Sequence, residues 1–305
     1  MTSPSAPSVG PYERILWSNA TMTLGAFDAS PDADGFETAG QIGSRPAIAF
    51  SRSAVGIAHA RREPVVSDGT VAVLHNPGWP YRRFRVDERG DHCEWLSMDP
   101  EALLSVNPRL GREPRAPFAS STAPLPRRAA ALVRLVARHL RESAPDPLWV
   151  EETLLEVVSL LAPGPPPART RGSARHDLLA RRVRELLSSR PHEEWAVEAI
   201  AREAGASPFH VCRVFRRRTG WTLHGYLTEQ RLRAALTRIL EDRGPRDLRE
   251  LAAALRFSSH SHFTERFRRA FGVPPSRLRG RPTPEAVRAL ASLISRPAVA
   301  PRRDP

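Results

Sequence analysis

The residues with the clearest chemistry are the arginines of Ser207–Gly220, SPFHVCRVFRRRTG. Guanidinium groups stay charged at neutral pH, and their chemistry is bidentate hydrogen bonding to phosphates, carboxylates and guanine edges. Ser207 has the side chain of a helix N-cap, Pro208 fits the first helical position, and Gly220 is a stop. Val211, Val214 and Phe215 fall at i, i+3 and i+4, an apolar stripe that needs cover. Phe209, Cys212, Arg213, Arg216 and Arg217 are left on the outward side. The cover is predicted just upstream, in a short helix over Ala196–Ala204 with Val197, Ile200, Ala201 and Ala204 inward and Gly205 in the turn. Two short helices joined by a Gly turn, the second basic, make a helix-turn-helix pattern, although a plain packing hairpin looks the same.

The pattern occurs twice. In Asp247–Gly272, Leu251, Ala252 and Leu255 repeat Ile200, Ala201 and Ala204 at an offset of 51. After the turn the offset becomes 52: Phe267 repeats Phe215, Arg268 and Arg269 repeat Arg216 and Arg217, and Gly272 repeats Gly220. One extra residue in the second turn accounts for the change. Duplication of a whole supersecondary unit is a stronger signal than one copy. Between the copies, Leu223–Asp242 is predicted as a longer helix that sets their spacing, with Tyr226, Leu227, Leu232, Ala235, Leu236 and Ile239 on its apolar side.

These residues resemble the DNA-binding domain of the AraC/XylS family of bacterial transcription regulators. The resemblance covers 175–281 and rests on Ile200-Ala201, Ala204-Gly205, Ser207, Phe215, Thr219-Gly220, Tyr226, Arg231-Leu232, Ala252 and the run FSSHSHFTERFRRAFGVPP. Arg256 departs from it, because family members often have Gly in that turn. If the position needs positive φ, Arg is the less comfortable residue.

Charge agrees independently. The chain has 305 residues, a net charge of +13 and no Lys. Residues 169–281 carry 25 Arg against 12 acids, so the whole excess sits in the repeated region, where it favours a polyanionic partner. Cys93 and Cys212 are the only cysteines and lie in different regions, which argues against a disulfide framework and fits a reducing compartment. No signal-peptide core and no membrane-length apolar stretch is present, so a cytoplasmic protein with no membrane partner is expected.

Along the chain, residues 1–10 are expected to be loose. Residues 11–98 read as short strands, roughly 14–17, 21–27, 47–51, 55–60, 71–75, 81–86 and 93–97, punctuated by Gly, Pro, Asp and Asn. That spacing predicts a small antiparallel sandwich or barrel; the run TVAVLHNPGWPYRRFRV resembles the central hairpin of the family's cupin-like barrel. Residues 99–126, with six prolines, are expected to form an extended connection, and 127–161 a helical hairpin, Arg127–Glu142 and Leu148–Leu161. A Pro-rich linker spans 162–172, and a helix over Ala174–Ser189 with Leu178, Leu179, Val183, Leu186 and Leu187 inward opens the DNA-binding region, 173–281. The tail, 282–305, offers one short helix at about 285–295. The fold class is therefore α+β with two domains.

The function expected is sequence-specific regulation of transcription, with two helices entering successive major grooves of duplex DNA. Base contacts are assigned to Phe209, Cys212, Arg213, Ser261, His262 and Glu265; phosphate contacts to Ser207, Arg216, Arg217, Arg218, Ser259, Arg266, Arg268 and Arg269. Glu265 either accepts from cytosine N4 or pairs with Arg268 or Arg269 within its own helix. Trp17, His59, His75, Trp79 and Trp95 are candidates for a small-molecule effector site, against ordinary core packing. His59, His75 and His92 lie singly, without an H-x-H pair, so no metal, cofactor or catalytic residue is assigned. The alternative is a cupin-type enzyme with an accessory nucleic-acid-binding domain. Other partners considered are RNA polymerase and a second copy of the chain through 127–161.

Overall fold

The computed structural model describes residues 11–33, 36–37, 39–60, 62–111, 113–162, 173–241 and 247–279. The expectations for 1–10, for the linker beyond Ala162 and for the tail after 279 lie outside the described residues.

Among the described residues the N-terminal region holds ten strands: β1 (Glu13–Ser18), β2 (Met22–Ala29), β3 (Ala39–Gln41), β4 (Ala47–Ser51), β5 (Val55–His59), β6 (Val65–Ser67), β7 (Val71–His75), β8 (Pro80–Arg85), β9 (Asp91–Met98) and β10 (Thr122–Pro124). They form two antiparallel sheets, a six-stranded one in the order β1-β2-β9-β4-β7-β10 and a four-stranded one in the order β3-β8-β5-β6. Successive side chains alternate between faces, so one strand can serve two cores. Leu24 of β2 and Leu96 of β9 join the layer beneath the helices, while Phe27 and Cys93 join the layer between the sheets. This double burial explains the near-continuous apolar character of these strands. Three short strands, β3, β6 and β10, carried too few residues for an alternating signal.

The stretch after β9 corrects an expectation. Instead of running extended, it opens as helix α1 (Pro100–Val106), whose N-cap Asp99 accepts from the backbone N–H groups of Glu101 and Ala102. Asp followed by Pro is a helix start that the count of prolines obscured. Farther on, β10 adds an edge strand beside β7.

Helix α2 (Arg127–Glu142) follows, then α3 (Pro147–Ser159). Every residue of α2 from Ala129 to Arg138 is buried. One side joins the sheet-side core; Ala131 and Leu135 instead pack with the C-terminal helices. An Ala-rich helix with that much burial is a wedge between two regions, and it has no free side for a second subunit. Arg134 is buried within it and donates to the Ser51 carbonyl at 2.9 Å. Burial pushes its guanidinium down to about 10.

The C-terminal region holds α4 (Ser173–Ser189), α5 (Val197–Ala204), α6 (Pro208–Thr219), α7 (Leu223–Leu240), α8 (Leu248–Ala254), α9 (His260–Phe271) and α10 (Pro275–Leu278). Leu179, Val183 and Leu187 of α4 follow the i, i+4, i+8 stripe into the first core. Leu178 lies about 100° off that stripe, and it is 45% exposed rather than inward as expected. Helix α7 belongs to two cores. Leu223, Tyr226 and Leu227 pack with α4, α5 and α6; Leu232, Ala235, Leu236, Ile239 and Leu240 pack with α8, α9 and α2.

The two regions are joined by charge as well as by α2. The turn between β6 and β7 inserts Asp68 against α4 and α7. Its carboxylate accepts from Arg184 Nη2 at 2.6 Å, from Thr70 Oγ1 at 2.6 Å and from the Tyr226 hydroxyl. Burial alone would raise the Asp68 carboxyl; the Arg184 guanidinium and the three hydrogen-bonding groups outweigh it and hold it below its ordinary 3.8. Beside it, Arg233 donates to the Gly69 carbonyl and, at 2.9 Å, to that of Leu125. Arg127 of α2 reaches Glu229 of α7 at 2.8 Å.

Removing one partner of a buried ion pair strands the other. Asp68→Ala is expected to cost about 3–5 kcal/mol in chemical denaturation. Because the folded-state value of Asp68 is depressed, its contribution is complete above 3.8 and is lost as pH falls through the lower folded value. A pH titration of stability should therefore show a smaller acid-side loss in the variant than in the wild type.

Candidate nucleic-acid interface

The first unit is capped at each corner by the residue its sequence supplies. Gly205 ends α5 in the left-handed region at φ 70°, and its N–H donates to the Arg202 carbonyl. Ser207 then caps α6, its hydroxyl accepting from His210 N–H at 3.4 Å. Val211, Val214 and Phe215 are buried. Phe215 meets Tyr226 of α7 edge-on, with ring centroids 5.3 Å apart. Gly220 stops the helix at φ 76°. On the outward side Phe209 is 76% exposed, and Cys212, Arg213, Arg216 and Arg217 are also exposed. The Arg213 guanidinium lies 5.6 Å from the Phe209 ring centroid. Arg218, turned to the flank, pairs with Asp177 of α4 at 3.2 Å.

The second unit repeats this frame. Asp247 caps α8 by accepting from Arg249 N–H at 2.7 Å. The α8 corner carries the same hydrogen bonds as the α5 corner: Arg256 N–H to the Ala253 carbonyl and Phe257 N–H to that of Ala252, where Gly205 and Ala206 bond Arg202 and Ala201. Arg256 thus stands where the first unit has Gly205, and it has φ 58°. The positive φ anticipated for this position is present. Ser259 caps α9 by accepting from His262 N–H at 3.0 Å, and Phe263, Phe267 and Phe271 are buried.

Outward on α9, Ser261, His262 and Arg266 are exposed. His262 Nδ1 lies 2.8 Å from Ser258 Oγ, and its Nε2 lies 3.3 Å from Arg266 Nε. Glu265 accepts from Arg268 Nη2 at 2.8 Å and from Arg269 Nε at 2.7 Å. The hydrogen bond from Arg268 is the main cause holding its carboxyl below the ordinary value. The intrahelical pairing weighed from the sequence is the one formed in the unbound protein.

Two arginines outside the recognition helices tie the units together. Arg231 of α7 donates to the Pro191 and Glu193 carbonyls, each at 2.9 Å, and to that of Arg256 at 3.4 Å. Arg256 itself donates to the His192 carbonyl at 3.2 Å and reaches Glu194 at 3.4 Å. The loop before α5 is thereby held to the corner after α8. The spacing of Arg231 within α7 hinted at nothing of this; only the fold brings loop 190–194 beneath it.

Of the effector candidates, the structure brings three together. His59 Nε2 lies 3.0 Å from His75 Nδ1, and the Trp79 ring centroid is 6.1 Å from that of His59. Burial pushes His59 down to about 4, with Arg62 adding to it, and puts His75 well below its ordinary value. Trp95 packs in the same intersheet layer, whereas Trp17 packs on the helix side of the large sheet. His92 is elsewhere, 2.9 Å from Asp28. Among the described residues no group of three or more metal-ligating side chains is found. No helix among them is long and apolar enough to cross a membrane.

The corner geometry yields a paired expectation. Gly205→Arg forces a non-Gly residue to a left-handed φ and should cost about 1–2 kcal/mol. Arg256→Gly relieves that strain but frees the unfolded chain, so it should change stability by less than about 1 kcal/mol. Thermal melts of the two variants check both.

A helix-turn-helix domain family matches residues 200–281. The HTH-type transcriptional regulator GlxA of Rhizobium meliloti (strain 1021) is 42% identical over 83 residues, which are 27% of this chain and 25% of that protein. The chain thus matches about a quarter of the length of that curated relative. Among solved structures, a DNA-binding transcriptional dual regulator from Escherichia coli K-12 is 26% identical over 32% of this chain and 91% of its own, with a TM-score of 0.29. An apo ToxT variant from Vibrio cholerae is 11% identical over 89% and 98%, at 0.34, and the AraC-like transcriptional activator CuxR 17% identical over 71% and 77%, at 0.32. These scores are too low to define a shared overall arrangement. The duplicated, capped units and the family match agree: residues 200–281 of this chain are similar to a helix-turn-helix domain family.

Proposed function

We propose that the chain is a sequence-specific transcriptional regulator that binds duplex DNA, and not a cupin-type enzyme. The observation that carries this reading is the pair of helices α6 and α9, each exposed on its arginine-bearing side and each packed on the same α7. A major groove admits an α-helix, and neighbouring grooves on one face lie about 34 Å apart. A rigid α7 leaves the DNA as the partner that bends. Arg213 reads guanine through O6 and N7, Phe209 meets a thymine methyl, and Cys212 lies beside them. Ser261 and His262 read bases from α9. Ser207, Ser259, Arg216, Arg217, Arg218, Arg266, Arg268 and Arg269 grip phosphates and set the register.

The N-terminal sheets, roughly 11–98, take a small-molecule effector beside His59, His75 and Trp79, with Trp95 in the same layer and Trp17 outside it. Its state reaches the DNA-binding region through α2 and the turn at Asp68, two of the contacts between the regions among the described residues. RNA polymerase is a further partner, and a second copy of the chain would use the open side of α3, where Leu148 is 62% exposed. The setting is the cytoplasm.

Mapping the protected DNA and then comparing two variants tests the reading. Arg213→Ala should lose about 1–3 kcal/mol of discrimination at a single base position. Arg216→Ala should weaken all sequences alike and flatten the salt dependence by about one. Uniform weakening by Arg213→Ala would move that residue to the phosphates.

A further inference from the structure

The two recognition helices are duplicates in frame and differ in their charge pattern: both are net positive, but only α9 carries an acid. Helix α6 has four arginines and no acid of its own; Arg213, Arg216 and Arg217 are exposed without an acidic partner among the described residues. Helix α9 places Glu265 one turn before Arg268 and Arg269, and each of its carboxylate oxygens is taken by one of them. A carboxylate that reads cytosine must offer an oxygen to N4. Here each oxygen already accepts from an arginine, and a cytosine amino group would have to share Oε1 with Arg269. The group is too exposed for these ion pairs to serve stability, since surface pairs contribute little. Arg266, the remaining cation of α9, is held by His262, which is held in turn by Ser258. Arg266, Arg268 and Arg269 of α9 are therefore partnered within their own helix before any ligand arrives, whereas Arg213, Arg216 and Arg217 of α6 have no acidic partner among the described residues.

We infer that Glu265 is a specificity-determining residue that acts through Arg268 and Arg269, withholding them from arbitrary phosphates so that the second unit engages only where its base contacts are met. Helix α6 then supplies the sequence-independent grip. This rests on the DNA-binding reading above. Removing one negative charge from the face should add about one released counterion, a factor of about five in non-specific affinity at physiological salt.

The test uses the full chain and two duplexes of equal length, the tightest binder selected from a random library and a scrambled version of it, titrated over a range of salt. Glu265→Gln should steepen the plot of log affinity against log salt by about one and tighten the scrambled duplex about fivefold, while the selected duplex gains less. In an Arg268→Ala, Arg269→Ala background the same change should have a much smaller effect. Wild-type melting of Glu265→Gln would exclude a folding defect. If the slope stays unchanged and the loss falls on one C·G pair, Glu265 reads that base and the inference fails alone. If the wild type binds neither duplex, the parent reading fails and takes this one with it.

Discussion

The arrangement depends on α7 being buried at both ends in different cores. Its first turns close the core of α4, α5 and α6, and its last turns close that of α8, α9 and α10. Eighteen residues of helix give about 27 Å of rigid spacing. A helix packed along its length cannot bend without opening one core, so the distance between α6 and α9 is set by packing and not by a linker. Arg231 and Arg256 add an orientation constraint across the same gap, using backbone carbonyls whose positions the two units fix.

The second constraint is the seam between regions. Ala131 and Leu135 of α2 pack with the C-terminal helices, and charged groups beside them pair across the seam, Asp68 with Arg184 and Tyr226 and Glu229 with Arg127, while Arg233 of its own helix takes the other oxygen of Glu229. Buried charges of this kind add little net stability but strongly disfavour any arrangement that separates them. In this docked arrangement the outward sides of α6 and α9 stay uncovered.

Duplication did not preserve chemistry. Both units use a left-handed corner, a Ser cap and a Gly stop, because backbone closure imposes the same demands on each. Their outward faces diverged freely, since packing does not constrain exposed positions. Arg256 shows the divergence reaching the frame itself: it accepts a glycine's conformation at φ 58° and in return reaches the first unit.

What the sequence alone determined follows from local rules. Caps, stops and the 3.6-residue stripe delimited α2, α5 and α6 to within a residue or two, and the repeat offset located the extra residue of the second turn. Period-two patterning found seven strands and missed β3, β6 and β10, each too short to alternate. The start of α1 was written in Asp99-Pro100 but masked by nearby prolines. Only the tertiary structure decided that α2 is a wedge and not a free hairpin, that Asp68 meets residues more than a hundred positions away, that His59 and His75 adjoin while Trp17 faces elsewhere, and that Glu265 binds its own helix's arginines. Local propensity acts over a few residues; which distant charges and faces meet is settled by the packing of whole elements, and that information is not carried by any one segment.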